Sequence, residues 1–491
     1  MKILMLSWEY PPKTVGGLST HVYNLCQSLK DEGNEVHVVT CEEENAVLEQ
    51  VDKGVFVHRV IPYKLDTEDF TKWVMHLNFA IIEKASKLIN TYGGFDLIHA
   101  HDWLTTYSAK CLKWIYKIPM VSTIHATEYG RNGGIRTDMQ RYISSVEWML
   151  ANESWKIVTC SSFMKEQVSE LFSVQEDKVW VIPNGVNAVN IKEDLSEFRR
   201  KYALDNEKIV LFIGRHVFEK GIQILIDAIP GILKSYPNAK FVIAGKGPMT
   251  EELEDRVCKM GLKEKVLFSG YMNDEERDKL YKVSNAAVFP SLYEPFGIVA
   301  LEAMAAGCPV VVSNTGGLSE IVQHKLNGLK VTPGSCDNLR DSILEILSND
   351  KLAQQLKENA LNSVKEKYEW HKVAELTMEM YNMVKEESKG TEWETKEYKK
   401  ITEDNTEEKK VPAKKKVQAK KKNTTESIVK KKSAPKKADE TKLVKAEKAA
   451  PKKADTAQLV KTEKNKNEEV KLEKRPKRKS VKKAKKEPEK L

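Results

Sequence analysis

The sequence is poor in the features that mark membrane-spanning and disulfide-stabilised proteins. No apolar run approaches the roughly 18 residues of a membrane-spanning helix, and the N-terminal MKILMLSWEYPP is typical of a buried strand ending at two prolines, not of a signal peptide. The 491 residues include only seven cysteines, with no Cys-x-x-Cys pair and no Cys/His cluster at zinc spacing. We therefore expect reduced, mostly buried thiols and a cytoplasmic protein.

Acidic and aromatic residues are scarce in the C-terminal part. From Val411 onward there are 30 Lys and Arg against 11 Asp and Glu and no aromatic residue, whereas the first 410 residues carry 50 against 60. Such a segment buries too little apolar surface to offset the entropy of ordering, so we expect a disordered Lys-rich tail over residues 388–491. Within it APKKADETKLVKAEK (434–448) recurs as APKKADTAQLVKTEK (450–464), a repeat of 16 residues. The tail is either a solvated spacer or a polycation that binds nucleic acid, anionic lipid or another polyanion without sequence specificity.

The rest of the chain alternates short apolar runs with amphipathic helical patterns, which indicates parallel sheets flanked by helices. The predicted strands are KILMLS, EVHVVT, DLIHAH, MVSTIH, KIVTCS and VWVIP, then KIVLFIG, KFVIAG, KVLFSG, AAVFPS, CPVVVSN and GLKVTP. Between the two series, IPNGVNAVNIKEDLSEF (182–198) has the composition of a linker. We expect an α/β protein with two doubly wound Rossmann-like domains, residues 1–185 and 186–370, and a closing helix over 371–387. Ligands are expected in the cleft at the carboxyl ends of the strands.

Two acids interrupt the mostly apolar stretch SLYEPFGIVALEAMAAG, which follows a predicted strand. A buried carboxylate needs a partner or a ligand, so Glu294 in the loop and Glu302 in the next helix are candidate binding residues. Free backbone N–H groups near Phe296, Gly297 and Ile298 are suited to a phosphate oxygen. Carboxylates accept hydrogen bonds from paired sugar hydroxyls, so the segment fits a nucleotide-sugar.

Other predicted strand ends combine glycine with charge. Gly16 and Gly17 precede a helix after the first strand, Arg215 and Lys220 flank the loop after the first strand of the second domain, and Gly245 lies in the loop after the next strand. Two cations beside a strand end can neutralise a diphosphate. A double glycine is also common in plain turns, and two cations are often only surface charges, so each feature by itself leaves both interpretations open.

Polar clusters also end two strands of the first domain. His101 and Asp102 close one strand in HAHDW, and His125, Glu128 and Arg131 follow the next in HATEYGR. A lone histidine at a strand end is more often structural. Two clusters that face one cleft favour an acceptor or catalytic site instead.

Taken in chain order, the segments SWEYPP…GG, HAHDW, HATEYGR, IPNGV, GR…EKG, GKGP and EPFGIVALEAMAAGCPVV resemble one family. This family is the retaining GT-B glycosyltransferases that include glycogen synthases and sucrose-phosphate synthases (family 4, group 1), and the match is to its glycogen-synthase-like branch. The resemblance implies a nucleoside diphosphate sugar held mainly by the C-terminal domain. It places Glu302 on the ribose hydroxyls and Glu294 near the transferred sugar, with Arg215 and Lys220 on the diphosphate.

The resemblance also assigns residues outside that segment. It implies that His101 faces the transferred sugar, that the Gly17 backbone donates to the phosphates, and that Tyr271 lies near the base. Two positions depart from the family pattern. Lys13 lies three residues before the double glycine instead of two, so we do not expect it to contact the donor, and Asn187 stands where the family commonly has Asp.

The resemblance and the charges together define an expected reaction. No Asp-x-Asp occurs, which disfavours a metal clamp and leaves Arg215, Lys220 and a helix N-terminus to neutralise the departing diphosphate. The predicted catalytic residues are His101, Glu294, Arg215 and Lys220, with no metal and no cofactor. We expect transfer of glucose from ADP-glucose or UDP-glucose to an α-glucan. The alternatives are a lipid-linked, cell-surface or sugar-phosphate acceptor and, in another class, a polyanion-binding scaffold that acts through the basic tail.

Overall fold

The computed structural model describes residues 1–63 and 69–394, and within them two separate sheets. The strands are β1 (Lys2–Leu6), β2 (Glu35–Cys41), β3 (Glu49–Asp52), β4 (Val55–Val60), β5 (Leu97–His101), β6 (Met120–Ile124), β7 (Ile157–Thr159), β8 (Val179–Val181), β9 (Lys208–Ile213), β10 (Ala239–Ala244), β11 (Val266–Gly270), β12 (Ala286–Phe289), β13 (Val310–Ser313) and β14 (Leu329–Val331). The helices are α1 (Gly17–Asp31), α2 (Phe70–Tyr92), α3 (Thr106–Tyr116), α4 (Glu128–Asn132), α5 (Asp138–Glu153), α6 (Ser162–Phe172), α7 (Ser196–Arg200), α8 (Ile222–Ser235), α9 (Thr250–Lys259), α10 (Asp274–Val283), α11 (Ile298–Ala305), α12 (Leu318–Ile321), α13 (Cys336–Ser348), α14 (Asp350–Lys367) and α15 (Trp370–Ser388).

In each sheet, the order in which the chain adds strands reverses at a central strand. The first has the order β3-β4-β2-β1-β5-β6-β7-β8 and the second β11-β10-β9-β12-β13-β14, and the strands pair in parallel except for β3 with β4. β1 lies between β2 and β5, and β9 lies between β10 and β12. At such a switch point the loops diverge and leave a crevice beyond the carboxyl ends of the strands. The topology therefore places the two crevices after β1 and β5 and after β9 and β12.

All twelve strands predicted from the sequence are present, and the prediction of two Rossmann-like α/β domains is confirmed. The hairpin of β3 and β4 at the edge of the first sheet was not predicted from the sequence. It turns at Lys53 and Gly54, which have φ of 49° and 94°. Two consecutive left-handed residues match the twist of a tight hairpin.

The C-terminal helix α15 returns to the first domain and packs on α1. Tyr381 Oη lies 2.5 Å from His99 Nδ1, and Lys385 pairs with Asp96 at 3.0 Å. Beyond the helix, the ring of Trp393 packs on that of Trp114 with centroids 5.0 Å apart. The described chain thus stays in contact with the first domain past residue 388, where the tail is predicted to begin. Residues 395–491, which include the repeat, lie outside the described residues.

The sequence predicts reduced thiols and no membrane-spanning helix. All seven cysteines are free thiols, and four of them are buried. Among the helices of residues 1–63 and 69–394, none combines the length and the apolar character that a bilayer span requires.

Candidate functional site

A cavity of about 380 Å³ is lined by both domains at the carboxyl ends of their central strands. The predicted site residues in its wall are Gly16, Gly17, Asp102, His125 and Arg131 from the first domain and Arg215, Lys220, Glu294, Phe296, Gly297 and Ile298 from the second. They follow β1, β5, β6, β9 and β12. The two switch points therefore share one cavity, in which most of the predicted residues meet.

Lys220 and Glu294 form a salt bridge on the second-domain side of the cavity. Lys220 Nζ lies 2.6 Å from Glu294 Oε2, and Ser291 Oγ donates to the same oxygen at 3.2 Å. Glu294 is buried, so these contacts compensate a carboxylate that is otherwise costly to bury. The loop carrying Lys220 comes this close because Gly221 has φ of +70°, and a Cβ at that position would lie 1.9 Å from the Pro290 carbonyl oxygen.

Arg215 is the second cation of this wall. Its side chain is 57% exposed, and its Nη2 lies 3.9 Å from Glu219 Oε1, the limit of an ion pair. Its guanidinium is therefore less tightly paired than the Lys220 ammonium. Its planar N–H groups can bind an anion that enters the cavity.

Two helices begin at the cavity wall and face each other. A Cβ on Gly17, the first residue of α1, would lie 3.0 Å from Ile298 Cδ1 at the start of α11. Gly297, the N-cap of α11, has φ of +107°, and a Cβ there would lie 2.5 Å from Leu318 Cδ2. The first N–H groups of each helix have no partner within the helix and carry the positive end of its dipole. The two N-termini and the two cations surround a volume suited to phosphate groups.

Glu9 is a site residue that the sequence analysis did not identify. It lines the cavity, is buried, and accepts hydrogen bonds from the backbone N–H groups of Val15 at 2.7 Å and Gly16 at 3.1 Å. Burial raises the pKa of its carboxyl, against the lowering effect of those two hydrogen bonds. Glu9 thereby fixes the loop that leads into α1. Its signal in the sequence is an acid in the apolar segment SWEYPP.

His101 lies behind the wall of the cavity. It is fully buried and does not line the cavity, whereas His125 does. His101 Nε2 points to Met5 Sδ at 2.9 Å, under the first strand, and its Nδ1 lies 3.1 Å from His125 Nε2. His125 is the imidazole at the wall, and His101 supports it from behind.

Asp102 positions His125. Its backbone has φ of 56°, and its Oδ1 accepts the His125 backbone N–H at 2.8 Å. Burial raises the pKa of Asp102 to about 6, although Arg131 at 3.9 Å opposes this. Glu128, predicted on the acceptor side, does not line the cavity and instead accepts a hydrogen bond from Asn132 in its own helix.

Glu147 is a buried acid behind this wall, and Glu147→Gln should stabilise the protein increasingly as the pH rises from about 5 to about 8. Glu147 accepts the Glu128 backbone N–H at 2.8 Å, and burial raises its pKa from 4.5 to about 8. Between these values the native state holds a proton that the unfolded chain has released, so the free energy of unfolding of the wild type falls as the pH rises, by up to about 1.4 kcal/mol per pH unit. Glutamine keeps the acceptor and removes the titration.

Urea denaturation of both proteins across this pH range measures the difference. If the difference in free energy of unfolding between Glu147→Gln and the wild type stays constant with pH, the raised pKa of Glu147 is contradicted. Asp138→Asn, which changes an exposed acid at the start of α5, is the control and should give no such trend.

Glu302 lies in a second cavity, of about 690 Å³, on the other side of the start of α11. Ile298 lines both cavities. Glu302 Oε1 pairs with Arg277 Nη1 at 3.0 Å. Burial raises the pKa of Glu302 to about 7, against the lowering effect of Arg277. Arg277 is a further residue without a sequence signal, because nothing in its helix distinguishes it from a surface arginine.

The remaining predicted residues are dispersed. Tyr271 lines the second cavity and is 76% exposed at its edge, and Asn187 lines the same cavity and donates to Asn24 Oδ1. Gly245 lines neither cavity. A Cβ there would lie 2.0 Å from the Gly214 carbonyl oxygen, so this glycine serves the packing of two loops. Lys13 pairs with Glu43 at 2.9 Å and lines neither cavity.

Side chains at the edge of the first cavity join the two domains. The Glu320 carboxylate accepts the backbone N–H groups of Ser162 and Phe163 at the start of α6, both at 2.9 Å. Ser161 Oγ donates to the Pro295 carbonyl at 2.6 Å. The Glu320 bonds hold α12, and the Ser161 bond holds the loop after β12, against the first domain.

Comparisons with known proteins cover the described domains. Residues 15–189 match the family model Glycosyltransferase Family 4, and residues 194–363 match Glycosyl transferases group 1. Over 394 residues the chain is 42% identical to an uncharacterised glycosyltransferase of Methanocaldococcus jannaschii, which covers 79% of this chain and 99% of the relative. It is 34% identical over 398 residues to a glycogen synthase of Mycobacterium tuberculosis, with 78% and 94% covered. The solved structure of Anabaena HepE with UDP-glucose superposes with a TM-score of 0.65 at 21% identity, over 78% of this chain and all of that one.

Proposed function

Because the chain belongs to the group 1 glycosyltransferases, we propose that it is a retaining, metal-independent GT-B enzyme. It moves glucose from ADP-glucose or UDP-glucose to an α-glucan. One observation carries the proposal: the N-termini of α1 and α11 face each other in a cavity that is also lined by Lys220, Arg215 and the buried Glu294. Amide N–H groups and cations suit the diphosphate, and the carboxylate suits a sugar hydroxyl beside it.

The two cavities divide the donor between them. In this proposal the diphosphate lies in the first cavity beside the N-termini of α1 and α11 and close to Lys220 and Arg215, and the hexose lies towards Glu294 and His125. The ribose extends past Ile298 into the second cavity, where Glu302 accepts its hydroxyls. The base lies towards Tyr271. Ile298, which lines both cavities, supports a ligand that continues from one to the other.

The charges of the first cavity suggest how the chain assists transfer. The bond from the anomeric carbon to the diphosphate oxygen breaks, the acceptor hydroxyl oxygen bonds to that carbon on the same face, and the hydroxyl proton passes to the departing diphosphate oxygen. Negative charge grows on the departing diphosphate, where Lys220, Arg215 and the helix N-termini are already in place. Fixed cations and amides of the chain provide this compensation, which supports a reaction without a metal ion. His125, held through its backbone by Asp102, is the hydrogen-bonding group that faces the hexose.

The nature of donor and acceptor rests on relatives. Identity of 34% over 94% of the length of a glycogen synthase supports glucose as the sugar and an α-glucan as the acceptor. The UDP-glucose bound to HepE supports a nucleoside diphosphate glucose as donor for this fold.

A donor screen followed by an acceptor screen tests the proposal. Release of nucleoside diphosphate is measured with ADP-glucose, UDP-glucose, UDP-galactose and GDP-mannose, and then with maltooligosaccharides added to the donor that reacts. We expect release from a glucose donor that increases when maltooligosaccharide is present. If both glucose donors are inert, or if the acceptor has no effect, the α-glucan proposal fails.

A further inference from the structure

Three histidines from three elements converge behind the first cavity. His21 comes from α1, His101 ends β5 and His125 follows β6, and one ring nitrogen from each lies within 4.8 Å of the others. The ring centroids of His21 and His125 are 4.7 Å apart, and those of His101 and His125 are 5.4 Å apart. His21 and His101 are buried, while His125 reaches the cavity wall. Of these three rings, only that of His125 lines the cavity.

His21 brings a buried lone pair to this cluster. Its Nδ1 lies 2.6 Å from Asn184 Oδ1, an amide oxygen that only accepts, so Nδ1 carries the ring hydrogen. Its Nε2 is therefore an acceptor, and it is buried without a hydrogen-bond partner. A buried polar atom left unpaired is costly and calls for an explanation, such as a bound ion.

The other two rings contact each other through His101 Nδ1 and His125 Nε2, 3.1 Å apart. His101 Nε2 faces the thioether of Met5, a weak acceptor, so its hydrogen lies there and Nδ1 presents a lone pair towards His125 Nε2. His99 stacks on His101, but both of its nitrogens are hydrogen-bonded, to Tyr381 at 2.5 Å and to Thr123 at 2.7 Å. The structure therefore supplies three available imidazoles, with the fourth excluded.

We propose that His21, His101 and His125 bind a divalent transition-metal ion of the Zn²⁺ class, and that this ion inhibits the enzyme. Neutral imidazoles are preferred ligands of Zn²⁺, at about 2.0 to 2.1 Å in tetrahedral geometry, which separates ligand nitrogens by about 3.4 Å. One ring nitrogen of each residue lies within 4.8 Å of the others, and these separations must shorten to about 3.4 Å around a bound ion. His125 binds through Nε2 once its hydrogen moves to Nδ1.

The charges around the cluster allow a dication. The carboxylate of Asp102, one residue after His101, and that of Glu9 lie in the same wall and favour a cation. The guanidinium of Arg131, at 3.9 Å from Asp102, opposes it. Bound metal engages the imidazole that faces the hexose in the proposed function, so the inhibition rests on that function, whereas the binding does not.

Co²⁺ is the probe, because tetrahedral Co²⁺ with nitrogen ligands absorbs visible light and Zn²⁺ does not. Titration of the full chain with Co²⁺ should give a visible absorption band that saturates at one equivalent of Co²⁺. Addition of Zn²⁺ should abolish this band. We expect His21→Ala to weaken Co²⁺ binding at least about a hundredfold, since one of three ligands is lost. His58→Ala is the matched control, a buried histidine of the first sheet outside the cluster, and it should leave the band unchanged. Zn²⁺ should also inhibit glucose transfer by the wild type at least about tenfold more strongly than by His21→Ala.

Two results overturn the inference. One is the absence of the band in the wild type, and the other is a band of equal affinity in His21→Ala. If His21→Ala does not fold, anomalous X-ray scattering at the zinc edge from wild-type crystals soaked in Zn²⁺ decides. A peak between the three rings supports the site, and a peak elsewhere or none contradicts it. The band and the peak are independent of turnover, so they can succeed even if the proposed function fails.

Discussion

Lys220→Ala is expected to lower kcat by about a thousandfold with little change in the fold. Lys220 is the cation nearest to Glu294, at 2.6 Å, and lies where the departing diphosphate gains charge. Removal of one preorganised donor to a developing anion costs about a hundred- to a thousandfold in kcat. The loss here should reach the upper end, because the buried Glu294 carboxylate then lacks its cation and repels the diphosphate. Arg215→Ala, at a more exposed position, should lower kcat by about a hundredfold.

The control for this substitution lies in the same domain. Lys265 also pairs with a buried acid, Glu207 at 2.8 Å, but it lies outside both cavities. Lys265→Ala should leave kcat nearly unchanged. The measurement is the initial rate of nucleoside diphosphate release at saturating donor, with circular dichroism as the check on folding. A near-normal kcat for Lys220→Ala would remove this residue from the proposed mechanism.

Glu302→Ala is expected to lower kcat/KM for the donor by about a hundredfold, mainly through KM. A carboxylate that accepts two ribose hydroxyls contributes two charge-assisted hydrogen bonds, each worth about 1.5 to 3 kcal/mol. The interaction is the same in the bound donor and in the transition state, so kcat should change little. The loss also leaves Arg277 without the carboxylate that it pairs with at 3.0 Å.

The pH dependence adds a second signature of Glu302. Because burial raises the pKa of this carboxyl to about 7, it takes up a proton as the pH falls through that value. The donor KM of the wild type should therefore rise below about pH 7, and that of Glu302→Ala should stay flat over the same range. Glu207→Ala, which removes a buried and paired acid outside both cavities, is the matched control. A donor KM of Glu302→Ala within about twofold of the wild type would contradict the ribose assignment.

The fold could be predicted from the sequence wherever burial is simple. Strands of a parallel sheet covered on both faces are near-continuous apolar runs, and all twelve such runs are strands. The hairpin of β3 and β4 was not predicted because its sequence mixes polar and apolar residues. β4 contains His58 and Arg59, both of which are buried, and β3 alternates exposed and half-buried residues at the sheet edge. Polar residues buried through tertiary contacts hide a strand from a pattern of hydrophobicity.

The candidate site could be predicted only in part. Lys220, Arg215, Glu294 and Gly297 follow strands at a switch point, so strand assignment alone brings them near one edge. The sequence does not predict how deeply a side chain at a strand end is buried, because this depends on the direction in which the side chain points. His101 and His125 have equivalent places in the sequence pattern, yet only His125 reaches the cavity.

The two glutamates of the segment SLYEPFGIVALEAMAAG show the same limit. Glu294 and Glu302 lie on opposite sides of the start of α11, one in each cavity. The sequence predicts that both bind the donor. The segment itself does not contain the two residues that pair with these glutamates, Lys220 and Arg277, which come from another loop and another helix.

The central claim is retention of configuration when glucose passes from the donor to an α-glucan in the first cavity. Proton NMR of the product, recorded during reaction of the glucose donor with a maltooligosaccharide, tests it most directly. We expect a new α-linked glucosyl signal from the first turnovers, formed by the wild type and suppressed by Lys220→Ala. A β-linked product, or no transfer from either ADP-glucose or UDP-glucose, would contradict it.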